Sequence, residues 1–235
     1  MISGRHINVA GDLTLQFSSA PSAPNAPGAQ PETPAAGLRC WWFLLNDIQT
    51  GARVLDVGCG HGEIVQELTR RGWSAVTGVE IDPELVRQLQ GQGFDVRLGT
   101  AEELPVPDFS VDTIICSVVL PYTDDARAIR EWARVLRPGG VVNMTTHGIG
   151  YGLEYALGRD GFLHWVYGVR TLLNTIVRWI TGRPLPGFLG DTVCHSSRSL
   201  KRQYAETGFR VVYEKDVESV WGFPRFICHR LVKDS

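Results

Sequence analysis

The sequence has no cluster of basic residues, no CxxC pair and no internal repeat. Each absence removes a class of protein. Lys plus Arg number 23 against 25 Asp plus Glu, a formal net charge of -2, so no global field gathers nucleic acid. The five cysteines (Cys40, Cys59, Cys116, Cys194, Cys228) are odd in number and scattered. That pattern excludes a disulfide framework and a zinc ribbon, and it predicts reduced thiols and a cytoplasmic location. No His, Cys or carboxylate cluster has metal-ligand spacing, so no metal is expected. The first residues lack a basic segment followed by an apolar run, so no secretory signal is expected. The one long apolar stretch, 160–181, is interrupted by Arg170, Asn174 and Arg178, which rules it out as a membrane span.

What remains is 235 residues with 43% hydrophobic and 20% charged content, enough for one α/β domain. A domain of this size buries roughly 70–75% of its unfolded surface. Residues 1–37 read as a flexible segment. Within it, 18–37 holds five prolines and no large apolar side chain, while 6–17 alternates around Ala10-Gly11-Asp12. That stretch is either a small hairpin or flap or a disordered terminus. An apolar helix follows over 38–48. From Ala52 onward the pattern is regular: strands over 53–57, 75–80, 94–99, 111–119 and 141–146, separated by helices over 63–71, 83–90 and 124–136. The run over 111–119 is nearly all apolar, as a parallel strand covered on both faces requires. The Arg137-Pro-Gly-Gly140 turn stops the third helix. This alternation predicts a Rossmann-like, doubly wound and mostly parallel sheet.

The chain leaves this pattern after His147 and rejoins it at His195. The insertion over 148–194 carries a helix of about 33 Å over 160–181. Phe162, Trp165, Val166, Val169, Leu172, Leu173, Ile176 and Ile180 share one face, with Arg170, Asn174 and Arg178 on the other. Ordinary core packing is the expected use of the apolar stripe. A homodimer face, or a lid lying peripherally on a membrane, is the alternative. A helix ending at Gly208 and two strands, 209–214 and 225–232, close the chain.

The chemistry concentrates in VLDVGCGHGEIV (54–65). A strand runs into Gly58-x-Gly60-x-Gly62 and then directly into a helix, whose first N–H groups are free. The dinucleotide fingerprint is GxGxxG; here the third glycine comes one residue early. Asp56 precedes the turn, where a carboxylate is poorly placed beside a pyrophosphate but well placed beside an ammonium or sulfonium. Both features favour S-adenosylmethionine over a nicotinamide dinucleotide. Glu80 ends the second strand 22 residues after Gly58, the distance at which such folds hold ribose hydroxyls. Its plainer reading is a surface acid at a strand end.

VLDVGCGHG, VTGVEIDPELV, GTAEELPVPDFSVDTIICSVVLPY and REWARVLRPGG, in that order and with TGFRVV further on, resemble the class I S-adenosylmethionine-dependent methyltransferases. The subgroup they resemble includes methyltransferases of ubiquinone and menaquinone biosynthesis. The resemblance is strong over 52–147, weak over 195–235 and silent over 1–35 and 148–194. It implies a seven-stranded sheet with its last strand antiparallel, S-adenosyl-L-methionine as cofactor, and S-adenosyl-L-homocysteine as product. It also implies a binding core made of 38–147 and 195–235. Asp56, Gly58 and Gly60 would hold the methionine part, Cys59 would fill the loop, and His61 would cap or contact the cofactor. Glu80 would take both ribose hydroxyls and Ile81 would pack on the adenine. Where the family often has Asp-Ala, this chain has Thr100-Ala101, so Thr100 or the nearby Glu102 must serve. Ser117 and Val118 would line the pocket. Relatives often place His where this chain has Pro121, so Pro121 carries no chemistry.

Methyl transfer from a sulfonium needs alignment more than acid–base help. A base is required only if the acceptor must lose a proton, and histidine is the usual one. His147, at the carboxyl edge where such sheets bind ligands, and His195, where the insertion returns, are the candidates. A hydrogen-bonded structural histidine is the plain alternative for each. The acceptor is expected to be a small organic molecule, methylated at oxygen: a sugar, a lipid-linked compound or an apolar metabolite. Tyr122, Tyr151, Trp165, Arg170 and Phe188 are its expected contacts. With neither a basic tract nor an NPPY-type motif, nucleic-acid modification is set aside. A nicotinamide-dependent oxidoreductase and a non-catalytic cofactor-binding protein remain the competing readings.

Overall fold

The computed structural model describes residues 43–158, 161–185 and 190–234. The expected flap over 6–17 and the proline-rich stretch lie outside these residues. Of the helix expected over 38–48, residues 43–48 are described: 43–45 are helical, with Leu44 and Leu45 buried, but the helix stops short of 48 in a turn where Asp47 takes φ 57°.

The chain order is β1 (Val54–Val57), α1 (Glu63–Arg70), β2 (Val76–Glu80), α2 (Pro83–Gly91), β3 (Val96–Leu98), β4 (Val111–Ser117), a single 3-10 turn (Leu120–Tyr122) and α3 (Asp125–Val135). Then come β5 (Leu136–His147), α4 (Ile149–Leu157), α5 (Phe162–Thr181), α6 (Ser197–Glu206), β6 (Phe209–Val220) and β7 (Phe223–Lys233). The seven strands form one sheet in the order β3-β2-β1-β4-β5-β7-β6. The first five are mutually parallel, and β7 runs antiparallel between β5 and β6. All four residues of β1 are buried, because helices cover both of its faces. One apolar cluster gathers Leu55, Val57, Trp132, Leu136, Met144 and Tyr204; a second gathers Val54, Ile64, Leu68, Val86, Leu89 and Ile115; a small third joins Val217 and Cys228. The strand order reverses between β1 and β4, so a crevice opens at their carboxyl ends.

Helix starts follow local chemistry. Asp82 accepts the Glu84 N–H at 2.8 Å with Pro83 at the first helical position, and Asp124 accepts the Arg127 N–H at 3.1 Å. Two boundaries differ from expectation. β4 stops at Ser117 because Val118 takes φ 56°, an uncommon conformation for a β-branched residue. β5 starts at Leu136 rather than 141: Leu136 pairs with Val111, the ladder then skips to Thr113–Val141, and Arg137-Pro-Gly-Gly bulges outward. β6 and β7 are longer than expected and join through Trp221-Gly222, at φ 53° and 82°, which matches the twist of a two-residue hairpin.

The insertion departs most from expectation. Its helix is oriented the other way round. Gly168, Arg170, Thr171 and Asn174 are its buried residues, whereas Phe162, Leu173, Ile176 and Ile180 are exposed. The reason lies in the return segment, where Thr192, Val193, Cys194 and His195 are buried without being part of a helix or strand. Their backbone groups need partners. Asn174 Nδ2 donates to the Thr192 carbonyl at 2.7 Å, Thr175 Oγ1 accepts the Cys194 N–H at 2.9 Å, and Arg170 pairs with Asp191. The polar side of α5 is therefore turned inward. Gly168 also lets α4 approach, since a Cβ there would lie 2.2 Å from the Ala156 nitrogen.

Candidate active site

Two groups of side chains meet at the carboxyl edge of the sheet. The first surrounds the turn after β1. Gly58, at φ 70°, allows the sharp exit from the strand, and a Cβ there would strike Val119 Cγ2 at 2.4 Å. A Cβ on Gly60 would meet nothing within 4 Å, so the turn faces open space at that point. The Gly58 and Cys59 N–H groups both donate to the Val79 carbonyl, at 2.8 and 3.0 Å. Glu80 ties the turn to β2: Oε2 accepts the Gly60 N–H at 2.9 Å, and Oε1 accepts the Ile81 and Asp82 N–H groups at 2.8 and 3.0 Å.

Asp56 is only 1% exposed, and its Oδ2 has no hydrogen-bond partner. Burial raises its carboxyl to about 8, helped by the negative fields of Glu63 and Glu80. A sealed, unpaired carboxyl of this kind is poised for a cationic group. Ile81, just past Glu80 at the end of β2, is 69% exposed, an apolar side chain left for a ligand to cover. On the far side of the crevice the Val118 N–H donates to the Thr145 carbonyl at 2.9 Å, which fixes its left-handed backbone.

The second group surrounds His147 at the end of β5. Its imidazole stacks on Tyr151, with centroids 3.5 Å apart and planes 8° apart. Tyr122 meets it edge-on at 6.1 Å and Phe226 at 5.7 Å. Tyr155 and Tyr167 extend the cluster, at 5.0 and 6.4 Å from Tyr151 and 5.3 Å from each other. His147 is 4% exposed, and its Nδ1 has no partner. Burial first, then His195 and Arg225, lowers it to about 3, so the ring is neutral at physiological pH.

His195 is placed differently. Its Nδ1 lies 3.0 Å from Thr146 Oγ1 and its Nε2 lies 3.1 Å from Asp125 Oδ2. Asp125 also receives Gln203 Nε2 at 3.2 Å and pairs with Arg178 of α5. Burial alone would raise the Asp125 carboxyl; the hydrogen bond and field of His195, with Arg178 and Gln203, hold it well below the usual carboxylate range.

Residues 55–144 match the family described as Methyltransferase domain. An uncharacterized methyltransferase of Mycobacterium tuberculosis is 37% identical over 158 residues, covering 64% of this chain and 62% of the relative. A ubiquinone biosynthesis O-methyltransferase of Xanthomonas oryzae pv. oryzae is 38% identical over 104 residues, covering 41% of this chain and 43% of the relative. Among solved structures, an S-adenosylmethionine dependent methyltransferase from Mesorhizobium loti superposes with TM-score 0.64 at 18% identity, covering 85% of this chain and 98% of that one. Residues 55–144 carry a methyltransferase domain, and the chain is similar over 64% of its length to a curated methyltransferase and in fold to S-adenosylmethionine-dependent ones. It spans 62% of the length of the first of these curated relatives. The cyclase SpnF shares the fold at TM-score 0.56 and 19% identity, so the fold by itself does not dictate the reaction.

The family's cofactor suits the residues present. The orphaned Asp56 oxygen matches the cationic methionine end, and the open space at Gly60 admits a ligand against the backbone. Cys59 contributes shape alone. Its thiol packs against β2, where a Cβ on Gly78 would lie 2.8 Å away, and burial, then Asp56, pushes it to about 12. His61 is exposed, and its carbonyl accepts Gln66 Nε2 at 3.0 Å. Near Thr100 and the buried Ala101, Glu102 Oε1 receives the Asp124 N–H at 2.9 Å, so that carboxylate already holds the start of α3.

Among the expected acceptor contacts, Tyr122 and Tyr151 join the His147 cluster. Arg170 reaches it indirectly, 5.1 Å over Tyr167 and paired with Asp191. Trp165 is not brought there: it stacks on Phe162 at 6.0 Å and is 48% exposed. Phe188 lies outside the described residues. Sequence reasoning missed Asp125, which the preceding Asp124 disguises as one more acid at a helix start, and Phe226, which reaches the cluster from the last strand.

Proposed function

We propose that this protein transfers the methyl group of S-adenosyl-L-methionine to a hydroxyl oxygen of a small, largely apolar acceptor held against the tyrosine cluster. The observation that carries the reading is a pair of buried groups, Asp56 in β1 with Oδ2 unpartnered and a neutral His147 at the end of β5 with Nδ1 unpartnered. The cofactor, when bound, supplies an electrophilic methyl on a sulfonium, which needs no covalent intermediate on the protein. Asp56 and the turn from Gly58 to Gly60 hold its amino-acid end, Glu80 its ribose, Ile81 its ring, and Ser117 and Val118 close the pocket. Thr100 is the side chain left to contact the adenine edge, since Glu102 is engaged elsewhere.

His147 acts on the acceptor. Stacked on Tyr151, it cannot rotate freely, and neutral at pH 7, it can accept a proton from a hydroxyl brought beside it. Tyr122, 54% exposed at the mouth of the cluster, meets the incoming molecule. The aromatic walls exclude water and select a flat or apolar acceptor over a charged one. His195 serves as a positioning residue, because Thr146 and Asp125 engage both of its nitrogens.

Incubation with methyl-labelled cofactor and a panel of phenols, catechols, hydroxylated lipids and glycosides, read by mass spectrometry, tests this reading. An O-methylated product that disappears in His147→Ala supports it. Cofactor binding without product across the whole panel refutes methyl transfer of this kind and favours the non-catalytic alternative.

A further inference from the structure

The outward side of α5 is the side that a helix ordinarily buries. Phe162, Trp165, Leu173, Ile176, Trp179 and Ile180 are 48–79% exposed along it. The helix cannot roll to hide them, because Arg178 is held by Asp125, Asn174 by the Thr192 carbonyl and Thr175 by the Cys194 N–H. We infer that this face rests on a lipid bilayer, with α5 lying in the plane of an anionic headgroup layer.

Three observations choose this occupant. The first is area. Twenty residues at about 1.5 Å each make a strip some 30 Å long and about 10 Å wide, or roughly 300 Å². A stable protein–protein interface covers about 800 Å² on each partner, so a second copy held by this strip alone falls short. A bilayer has no such minimum, since each immersed side chain contributes by its own area. The second is charge. The chain is net negative, yet no Asp or Glu occurs from 161 to 190. Asp191, the next acid, is paired with Arg170, and the exposed Arg183 stands two residues past the end of the helix. Nothing along the strip repels phosphate. The third is the placement of Trp165 and Trp179, fourteen residues apart and near opposite ends of the same side. Indole rings favour the boundary between headgroups and acyl chains.

None of the described helices is long and apolar enough to cross a membrane, so the contact is peripheral. The inner side of the same helix carries Tyr167, whose ring lies 6.4 Å from that of Tyr151 and 5.3 Å from that of Tyr155. A lipid layer under α5 would lie about one helix diameter from the candidate acceptor cluster.

Sedimentation of the full chain with large unilamellar vesicles of phosphatidylcholine containing about 30% phosphatidylglycerol tests this. The wild type should move into the vesicle pellet, less so with phosphatidylcholine alone. The double variant Ile176→Glu/Trp179→Glu should partition about ten-fold less or worse, while keeping its cofactor-induced thermal shift. Val212→Glu, an exposed apolar site on β6, should partition like the wild type. Wild type left in the supernatant with every vesicle overturns the inference. So does equal partition of wild type and double variant. A dimer in analytical ultracentrifugation that the double variant dissociates, without vesicle binding, assigns the face to a second copy instead. A double variant that loses thermal stability without any vesicle binding assigns it to residues 1–42. Vesicle binding is measured without turnover, so its outcome is independent of the proposed reaction.

Discussion

Binding of S-adenosyl-L-methionine should expel a proton from Asp56. With its carboxyl at about 8, the free protein holds that proton in about 0.9 of molecules at pH 7. A cationic ligand beside Oδ2 favours the ionised form, so about 0.9 proton leaves on binding. The ligand's own α-amino group, ordinarily near 7.7–8.0, takes up about 0.1–0.2, for a net release of about 0.7–0.8. Ionising Asp56 costs about 1.4 kcal/mol at pH 7 and about twice that at pH 6, so affinity should rise about ten-fold over that interval. Titration calorimetry at pH 7 in buffers of different ionisation enthalpy reads the proton count as a slope. Asp56→Asn should abolish the release and flatten the pH dependence. It should also weaken binding by the ~1.5–3 kcal/mol of a lost charge-assisted hydrogen bond. The same group acts on stability. Between about pH 4 and 8 the folded apoprotein keeps a proton that the unfolded chain has lost. Its contribution to stability therefore falls as pH rises, and Asp56→Asn removes that contribution. Zero slope in the wild type, or an unchanged slope in the variant, refutes the placement of the cationic end at Asp56.

Glu80→Ala should weaken cofactor binding by about 1.5–3 kcal/mol and lower the melting temperature, because it frees the Gly60, Ile81 and Asp82 N–H groups together; unchanged affinity by calorimetry would show that the ribose is held elsewhere. His147→Ala should cut turnover by about 10²–10⁴ with cofactor affinity preserved. Since His147 sits at about 3, the wild-type rate on a non-titrating acceptor should be flat from pH 5 to 8, and an inflection near 6.5 would show that burial does not hold the ring neutral. Arg178→Leu leaves the buried Asp125 short of a partner and should cost about 3–5 kcal/mol in urea unfolding. The lowered Asp125 carboxyl contributes stability that is present above its unfolded value and lost as pH falls below about 4; His195 and Gln203 still hold it in the variant, so that acid-sensitive component should shrink without vanishing.

The turn after β1 and the end of β2 were readable because their constraints are local. Gly58 is required by a positive φ and by Val119, Glu80 ends a strand, and both are fixed within a few residues of the pattern that announces them. The acceptor half depends on contacts that sequence spacing does not encode. Phe226 reaches His147 from a strand almost eighty residues later, and Asp125 meets His195 across a separation of 70. Periodicity showed which residues of α5 share a side, but not which side is covered. That is decided by the hydrogen-bonding needs of the return segment over 191–195, whose irregular backbone draws Asn174 and Thr175 inward. Arg137-Pro-Gly-Gly reads as a helix stop with the strand beginning at 141, whereas the buried Leu136, ahead of the turn residues, already pairs with Val111.

The position of β7 carries a consequence for assembly. Of the described strands, β7 comes latest in the chain yet is an interior one, hydrogen-bonded to β5 on one side and to β6 on the other. Until Phe223–Lys233 has emerged from the ribosome, β5 is an open edge, and β6, which joins the sheet only through β7, has nowhere to dock. A nascent or proteolysed chain lacking that stretch would expose the flank of β5, from Val141 to His147, as a template for intermolecular pairing, so aggregation should track loss of this hairpin more closely than loss of any parallel strand's covering helix.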